Sequence, residues 1–312
     1  MAQRAPESRL YVAVRAARAA LSRMVRGGLD FSRRVYQKAG DDDIFFLAGG
    51  IAFNILVAAL PFLLLLIAVF GYVLSSAVDD PEKAAVDYVL RILPPSQRIV
   101  ALTRDLVRQV VAGRTQFGVL GLVLFIWSST RLFGSLRSVL KHIFDLPEER
   151  GIVQGKIFDL GMVLVAGTLF ALNTGITVVV EAAQQYGVEW LGLAGRHEWE
   201  VLQRALARLL AFVFILLMFV LIYRFLPLRR TPWRISLVAA TFTAIVWEML
   251  KGIFAWYVGA VADYRTTYGT LATLVLLFLW VYYSAIVFVL GGEVAQVYDL
   301  IRRRRKQREL LE

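Results

Sequence analysis

Glu248 and Lys251 stand three positions apart in the stretch VWEMLKGIFAWY, where nearly every neighbour is apolar. A spacing of three puts both on one helical face, so carboxylate and ammonium can meet. In a bilayer interior either charge alone costs from about 2.5 to over 10 kcal/mol. A second set forms a stripe. Ser128, Arg131, Ser135, Ser138 and His142 recur at steps of three and four along one side of a helix. A third element is Glu293 in VLGGEVAQVYD, behind two glycines that let helices approach closely. An arginine in such a place offers a two-pronged grip on an anionic group, and a Glu–Lys pair offers a gate or a proton-linked contact. The expectation is an inward-facing polar cavity with Arg131, Glu248, Lys251 and Glu293 as its charges. Asn54, Ser128, Ser135 and Ser138 are further binding positions, and Asn173 extends the same set. Two uses fit that cluster: binding or gating of an amphipathic substrate or coupling proton, and a neutral buried network that only fixes packing. The stripe itself also fits a helix that leaves the membrane early and continues along its surface.

Other chemistries lack residues. There are no cysteines, and His142 and His197 are the only histidines. Thiolate nucleophiles, disulfides and His-rich metal sites are therefore not expected, nor is a cofactor.

The elements that must position these residues are membrane helices. The chain has 312 residues, 58% hydrophobic and 19% charged, with mean hydropathy +0.62. That balance departs from soluble domains, and several apolar runs approach the ~20 residues that cross a bilayer. The expected fold is all-α: a polytopic bundle of six transmembrane helices with an external amphipathic hairpin and a basic N-terminal arm. Residues 1–43 form the arm, with nine Arg and Lys and no long apolar run, which argues against a cleaved signal peptide. Leu10, Val14, Ala17, Leu21 and Val25 recur at helical spacing. The arm reads equally as a helix lying on anionic headgroups and as a solvated helix packed on the bundle.

Residues 44–299 form the six-helix domain. The first span, about Ile44 to Leu74, contains Asn54 and Pro61, and Pro61 is expected to kink or split it as a hinge. Residues 79–114 read as two amphipathic helices parted by Pro94-Pro95. Further spans begin at Phe117 and cover about Ile157–Val180, Ala205–Leu226, Ile235–Val258 and Leu271–Val297. Residues 300–312 are a basic tail, RRRRKQRE at its centre. Basic residues gather in the arm, in Arg131–Lys156, in Arg224–Arg234 and in the tail, whereas the intervening loops are balanced or acidic. By the positive-inside rule both termini face the cytoplasm. The formal charge of +11 is accounted for by those loops, so anionic lipid headgroups at the arm and tail are the expected partners, not nucleic acid. A homo-oligomer is compatible with the sequence.

The order of these features resembles the YihY/BrkB family of bacterial inner-membrane proteins over roughly residues 40–300. The resemblance rests on AGGIAFNILVAALPFLLLLIAVFG, on FIWSSTRLFGSLRSVLKHIFDL, and above all on the closing pair, YRFLPLRRTPWRISLVAATFTAIVWEMLKGIFAWYVG and YRTTYGTLATLVLLFLWVYYSAIVFVLGGEVAQV. In the closing pair Trp233, Trp247-Glu248, Lys251, Tyr268-Gly269, Trp280 and Gly291-Gly292-Glu293 stand where the family pattern has them. Asn54 departs from it, since a bulkier residue is common there. The resemblance implies six spans in the cytoplasmic membrane and no agreed activity. Older family labels are ribonuclease BN and virulence factor, and some members are tied to lipid or lipopolysaccharide handling. Metal-dependent RNA cleavage would need clustered carboxylates or histidines, which two isolated histidines do not supply. The sequence therefore points to a non-enzymatic, transporter- or flippase-like protein that binds or moves a lipid-like substrate. A structural or scaffolding membrane protein is the alternative, and a ribonuclease is a distant third.

Overall fold

The computed structural model describes residues 26–77, 97–146, 151–190, 197–227, 231–260 and 265–311, together with Ser22, Asp80 and Lys83. The described residues are helical almost throughout. They form α1 (26–41), α2 (Ile44–Ala77), α3 (Gln97–Ile143), α4 (Ile152–Trp190), α5 (His197–Phe225), α6 (Trp233–Ala260) and α7 (Arg265–Glu309). Among the described residues four stretches are long and apolar enough to cross a bilayer: Ile44–Val73, Val107–Ile143, Trp233–Gly259 and Leu274–Glu309. The apolar part of α5, Leu209–Phe225, is shorter. Residues 10–25, apart from Ser22, and nearly all of the first arm of the expected hairpin lie outside the described residues.

The second arm of that hairpin differs from expectation. Residues 97–116 do not form a helix of their own but run unbroken into the next span, giving a helix of 47 residues. At 1.5 Å per residue it is about 70 Å long, more than twice a bilayer core. No proline interrupts Gln97–Ile143, so nothing in the backbone chemistry stops the helix at the polar-to-apolar boundary. Nor does Pro61 divide α2, which is continuous over 34 residues with Pro61 buried inside it. Along this length α2 and α3 lie against each other through small residues. A methyl group on Gly121 would press on the backbone of Leu64 and Leu65, and one on Gly71 would meet the carbonyl of Val110 at 2.8 Å. Tyr72 and Thr115 hydroxyls join at 3.2 Å, and Phe62 packs on Phe125. With so close a seam, the proline's missing hydrogen bond is tolerated inside packed protein.

The densest packing surrounds the middle of α7. From Val287 to Val297 every residue but Leu290 is buried, as expected for a helix that other helices enclose on all sides. Its walls are α2 (Ala48, Ile51, Ala52), the end of α3 (Leu140, Ile143), α5 (Tyr223, Leu226) and α6 (Ile235, Ala239, Ala240). Tyr223 locks three of these helices. Its hydroxyl donates to the carbonyl of Phe288, and its ring stacks on Phe288 with centroids 5.0 Å apart. That uses its one proton, so Thr243 donates in the 2.9 Å contact with the same oxygen. Gly291 makes room for this knot. Away from it, α2 and α3 present rows of exposed large apolar side chains such as Leu60, Phe70, Leu120 and Val123, which need an apolar solvent.

A Cβ at position 291 would strike Thr243 Oγ1 and the Tyr223 hydroxyl, both fixed by hydrogen bonds. Gly291→Ala should therefore cost about 1–3 kcal/mol or more, the usual size of an overpacking penalty. Thermal unfolding of the detergent-solubilised protein checks this, with Gly252→Ala as control. Nothing lies within 4 Å of a Cβ at Gly252, so that variant should keep or raise the Tm.

Candidate functional site

Two helix ends converge on Glu293 of α7. α1 ends in an aspartate run: the amide of Asp42 still bonds back to the Lys38 carbonyl at 3.0 Å, and Asp43 then turns left-handed with φ 50°. The Asp43 carbonyl next accepts from Phe46 and Leu47, which starts α2 only two residues after α1 stops. The end of α3 repeats the device. Asp145 is left-handed with φ 50°, and the amide of Leu146 reaches the Lys141 carbonyl at 3.1 Å, the six-to-one bond of a Schellman cap. Aspartate is among the few side chains that take this conformation readily. Each cap so aims carboxylates at the same place on α7.

There Lys38 Nζ lies 2.8 Å from Asp42 Oδ2 and 3.5 Å from Asp145 Oδ2, and Gln296 donates to Asp145 at 3.1 Å. Glu293 has no solvent exposure, lies beside Asp42, Lys38 and Asp145, and has no hydrogen-bond donor on either carboxylate oxygen. Burial by itself pulls the Lys38 ammonium toward neutrality. The hydrogen bond and charge of Asp42, with the charge of Asp145, outweigh it and hold Lys38 above the ordinary lysine value.

Beside this cluster is a cleft of about 720 Å³ between α1, the start of α2, α6 and α7. Val35, Ala39, Ile44, Phe242, Leu290 and Val294 give it apolar walls, and exposed Tyr36 and Phe45 stand at its mouth. A smaller cavity of about 180 Å³ opens on the other side of α1, where Arg34, Lys38 and Arg304 face Asp41. An apolar cleft with cationic groups across one helix has the two-part chemistry of an anionic amphiphile.

The residues singled out from the sequence are spread along the bundle. Lys251 reaches Glu248 at 2.6 Å, and both are about 40% exposed on α6. Arg131 is exposed and lies over the Trp127 ring at 5.2 Å, an attraction within its own helix. Ser128 is buried and bonds back to the Leu124 carbonyl, Ser135 is half-buried, and Ser138 and His142 are exposed. Asn54 likewise turns back, donating to the Gly50 carbonyl at 2.8 Å. The side chain of Asn173 lies outside the described residues. Arg137, one position from the stripe's Ser138, makes a cross-helix contact: it bonds Asp159 of α4 at 3.0 Å, with Asp159 2% exposed. Among the described residues no three His, Asp or Glu are grouped to hold a metal ion.

Sequence reading did not reach Lys38, Asp42, Asp145, Gln296 or Tyr223. Lys38 and Asp42 fell within a stretch that reads as a basic arm. The one available signal was the triple aspartate, DDD at 41–43, in an otherwise basic segment directly before a membrane span.

Comparison with known proteins decides the lineage. The sequence profile of the family described as virulence factor BrkB matches residues 35–310. The chain belongs to that family. Its relatives include UPF0761 membrane proteins of Aeromonas salmonicida, 26% identical over 88% of this chain and 90% of the relative, and of Alkalilimnicola ehrlichii, 24% identical over 90% of this chain. This BrkB-family chain spans 61% of the length of the Alkalilimnicola relative. A putative ribonuclease-like protein of Bacillus subtilis, YfkH, is 22% identical over 82% of this chain and 89% of its own length. No solved structure matches the chain. Family membership and the apolar helices together make this an integral membrane protein. The match begins at residue 35, so it takes in Lys38 and Asp42 with the bundle and not with the arm.

The Glu248–Lys251 contact predicts energetic coupling. Glu248→Gln or Lys251→Met alone should lower the Tm in detergent, and the double variant should recover part of the loss. A double-mutant cycle should give about 0.5–3 kcal/mol of interaction. Strict additivity would mean that the 2.6 Å contact contributes nothing.

Proposed function

We propose that this BrkB-family chain is a non-enzymatic, flippase-like protein of the bacterial cytoplasmic membrane that binds and moves an anionic, lipid-like substrate. Six spans carry it, α2 to α7, with both termini in the cytoplasm and an external hairpin near residues 79–114. The loop charges support that topology. On that topology α1 and the basic end of α7, and with them the cleft, lie at the cytoplasmic face.

The observation that carries the reading is the cleft itself. It is apolar, opens past Tyr36 and Phe45, and adjoins Arg34 and Arg304 on the other side of α1. An acyl chain fits the first environment and a phosphate the second. Headgroups held near Lys and Arg at a membrane surface gain about 1 kcal/mol per cation. Glu248 with Lys251 serves as the gate further along α6, and Arg131 attracts the headgroup on its path, with Ser128, Ser135, Ser138 and Asn54 as polar positions beside it. Pro61 supplies flexibility in α2, and Glu293 joins the substrate site from α7. The bound lipids supply the partners, and the chain works with no cofactor or metal.

The Bacillus relative's ribonuclease-like name favours a different reading. Its chemistry wants a metal-holding group of carboxylates or histidines, and none is present among the described residues. A pure scaffold is favoured by the Tyr223–Thr243–Phe288 knot, which needs no substrate to explain it.

The test is photolabelling in nanodiscs with a phospholipid carrying a photoreactive group on its acyl chain. Label should concentrate on Tyr36, Phe45 and Phe242, more strongly for anionic than zwitterionic headgroups, and an unlabelled anionic lipid should compete. Even labelling of all lipid-facing helices, with no competition, would favour the scaffold. Topology is checked separately by reporter fusions. Fusions at Pro94, Glu198 and Asp263 should read as external, and those at Pro147, Arg229 and after Arg302 as cytoplasmic. One reversal breaks the six-span arrangement.

A further inference from the structure

Charge and geometry around Glu293 do not balance as ordinary ion pairs. The groups that face it are Lys38 and Asp42 from α1 and Asp145 from the end of α3. From α6, Val238 and Phe242 pack against the neighbouring Val294 and Val297. Asp145 is 65% exposed, so water screens it. That leaves two buried carboxyls, Asp42 and Glu293, against one ammonium, Lys38, which is already spent on Asp42 at 2.8 Å. Neither Glu293 oxygen has a donor from protein. Two ionised carboxylates side by side in such a place repel and leave lone pairs unsatisfied; one shared proton turns the clash into a charge-assisted hydrogen bond.

We infer that Asp42 and Glu293 bind one proton between them and that this proton latches α1 to α7. The pair sits on the two helices, α1 and α7, that each supply a wall of the cleft. Ala39 and Asp43 flank Asp42 on one wall, while Leu290 and Val294 flank Glu293 on the other. With the proton bound, Glu293 donates to Asp42, whose other contact is Lys38. With the proton released to solvent, two like charges meet at the seam and α1 is pushed from α7, widening the cleft. The proton site stands on the cluster alone; its control of substrate access rests on the lipid reading above.

The experiment uses the full chain in nanodiscs. Infrared spectra should show the carbonyl stretch of a protonated carboxyl at neutral pH, lost in Glu293→Gln and lost in the unaltered chain as pH is raised. The folded protein holds a proton that the unfolded chain releases, so stability should fall as pH rises through the pair's titration and level off above it. In Glu293→Gln, whose amide donates to Asp42 permanently, that fall should vanish. The chain has no cysteine, so spin labels at Tyr36→Cys and Leu300→Cys report the α1–α7 distance without background. Their separation should increase over the same pH range. A neutral-pH spectrum without the protonated band overturns the proposal, as does a Tm that depends on sodium when choline replaces it, which would make the site a metal-cation site. If the band titrates and the spin labels do not move, the latch is wrong. If photolabelling of the cleft fails while band and distance titrate together, the lipid reading falls and the proton latch stands.

Discussion

The close approach of helices at Gly291-Gly292 is the constraint on which the remaining structure depends. Because position 291 has no side chain, Tyr223 and Thr243 meet over α7 and join α5, α6 and α7 through one phenol oxygen. Because position 292 has none, Ile143 and Leu140 close the opposite side. α7 is then walled on every face. Glu293, the next residue, is thereby carried out of water into a place where its charge must be answered locally. The packing is therefore the cause of the site's chemistry. A looser helix would leave Glu293 hydrated and unremarkable, since a carboxylate in water needs no partner.

Much of this was legible in the residues, and the part that was not has a physical reason. Apolar run length and loop charge mark the helices because every backbone group in a bilayer must be satisfied within its own segment. Glu248 and Lys251 declared their contact by spacing alone, for three residues apart on a helix is a local matter. Gly291-Gly292-Glu293 was legible as a close approach, though not what approaches. Lys38 and Asp42 stayed hidden because their importance lies some 250 positions downstream, and no local periodicity encodes that. Reading residues 1–43 as an arm followed composition, which averages the three aspartates at 41–43 into a basic segment. The helical wheel placed Arg131 on a polar stripe correctly as geometry, but a wheel does not say what lies opposite. In the fold its neighbour is Trp127, one turn back. The join between residues 97–116 and the following span was missed for the converse reason. Polarity changes there, yet a backbone without proline has no cause to break where polarity changes.

The cleft and the buried charges are two consequences of one arrangement. α1 meets α2 through a two-residue turn, and its Phe31 and Val35 pack against Val294, Val297 and Ile301 of α7. One face of α1 contributes Val35 and Ala39 to the bundle, the next contributes Lys38 to the charge cluster, and Arg34 is left toward the tail of α7. A single amphipathic helix thus separates an apolar cavity from a cationic one by its own diameter, about 10 Å. That spacing is of the order that divides the acyl and phosphate regions of a membrane lipid, and it gives the lipid reading its physical content.

Three of the contacts made by charged side chains differ in kind, and the differences bear on what each place can do. Arg137 and Asp159 tie α3 to α4 by a direct bond between a guanidinium and a carboxylate. Glu248 and Lys251 share one helix, so their contact constrains α6 alone and leaves the bundle free to move about it. Asp42 and Glu293 are different again: both are acids, they sit on separate helices, and one cation serves the pair. A fixed ion pair is a fastener, because breaking it strands two opposite charges in low dielectric. Two acids joined through a proton come apart by losing one small ion to water, and the two carboxylates left behind repel one another. Of the three arrangements, only this last is suited to opening and closing repeatedly at modest cost, and it is the one that stands at the wall of the cleft.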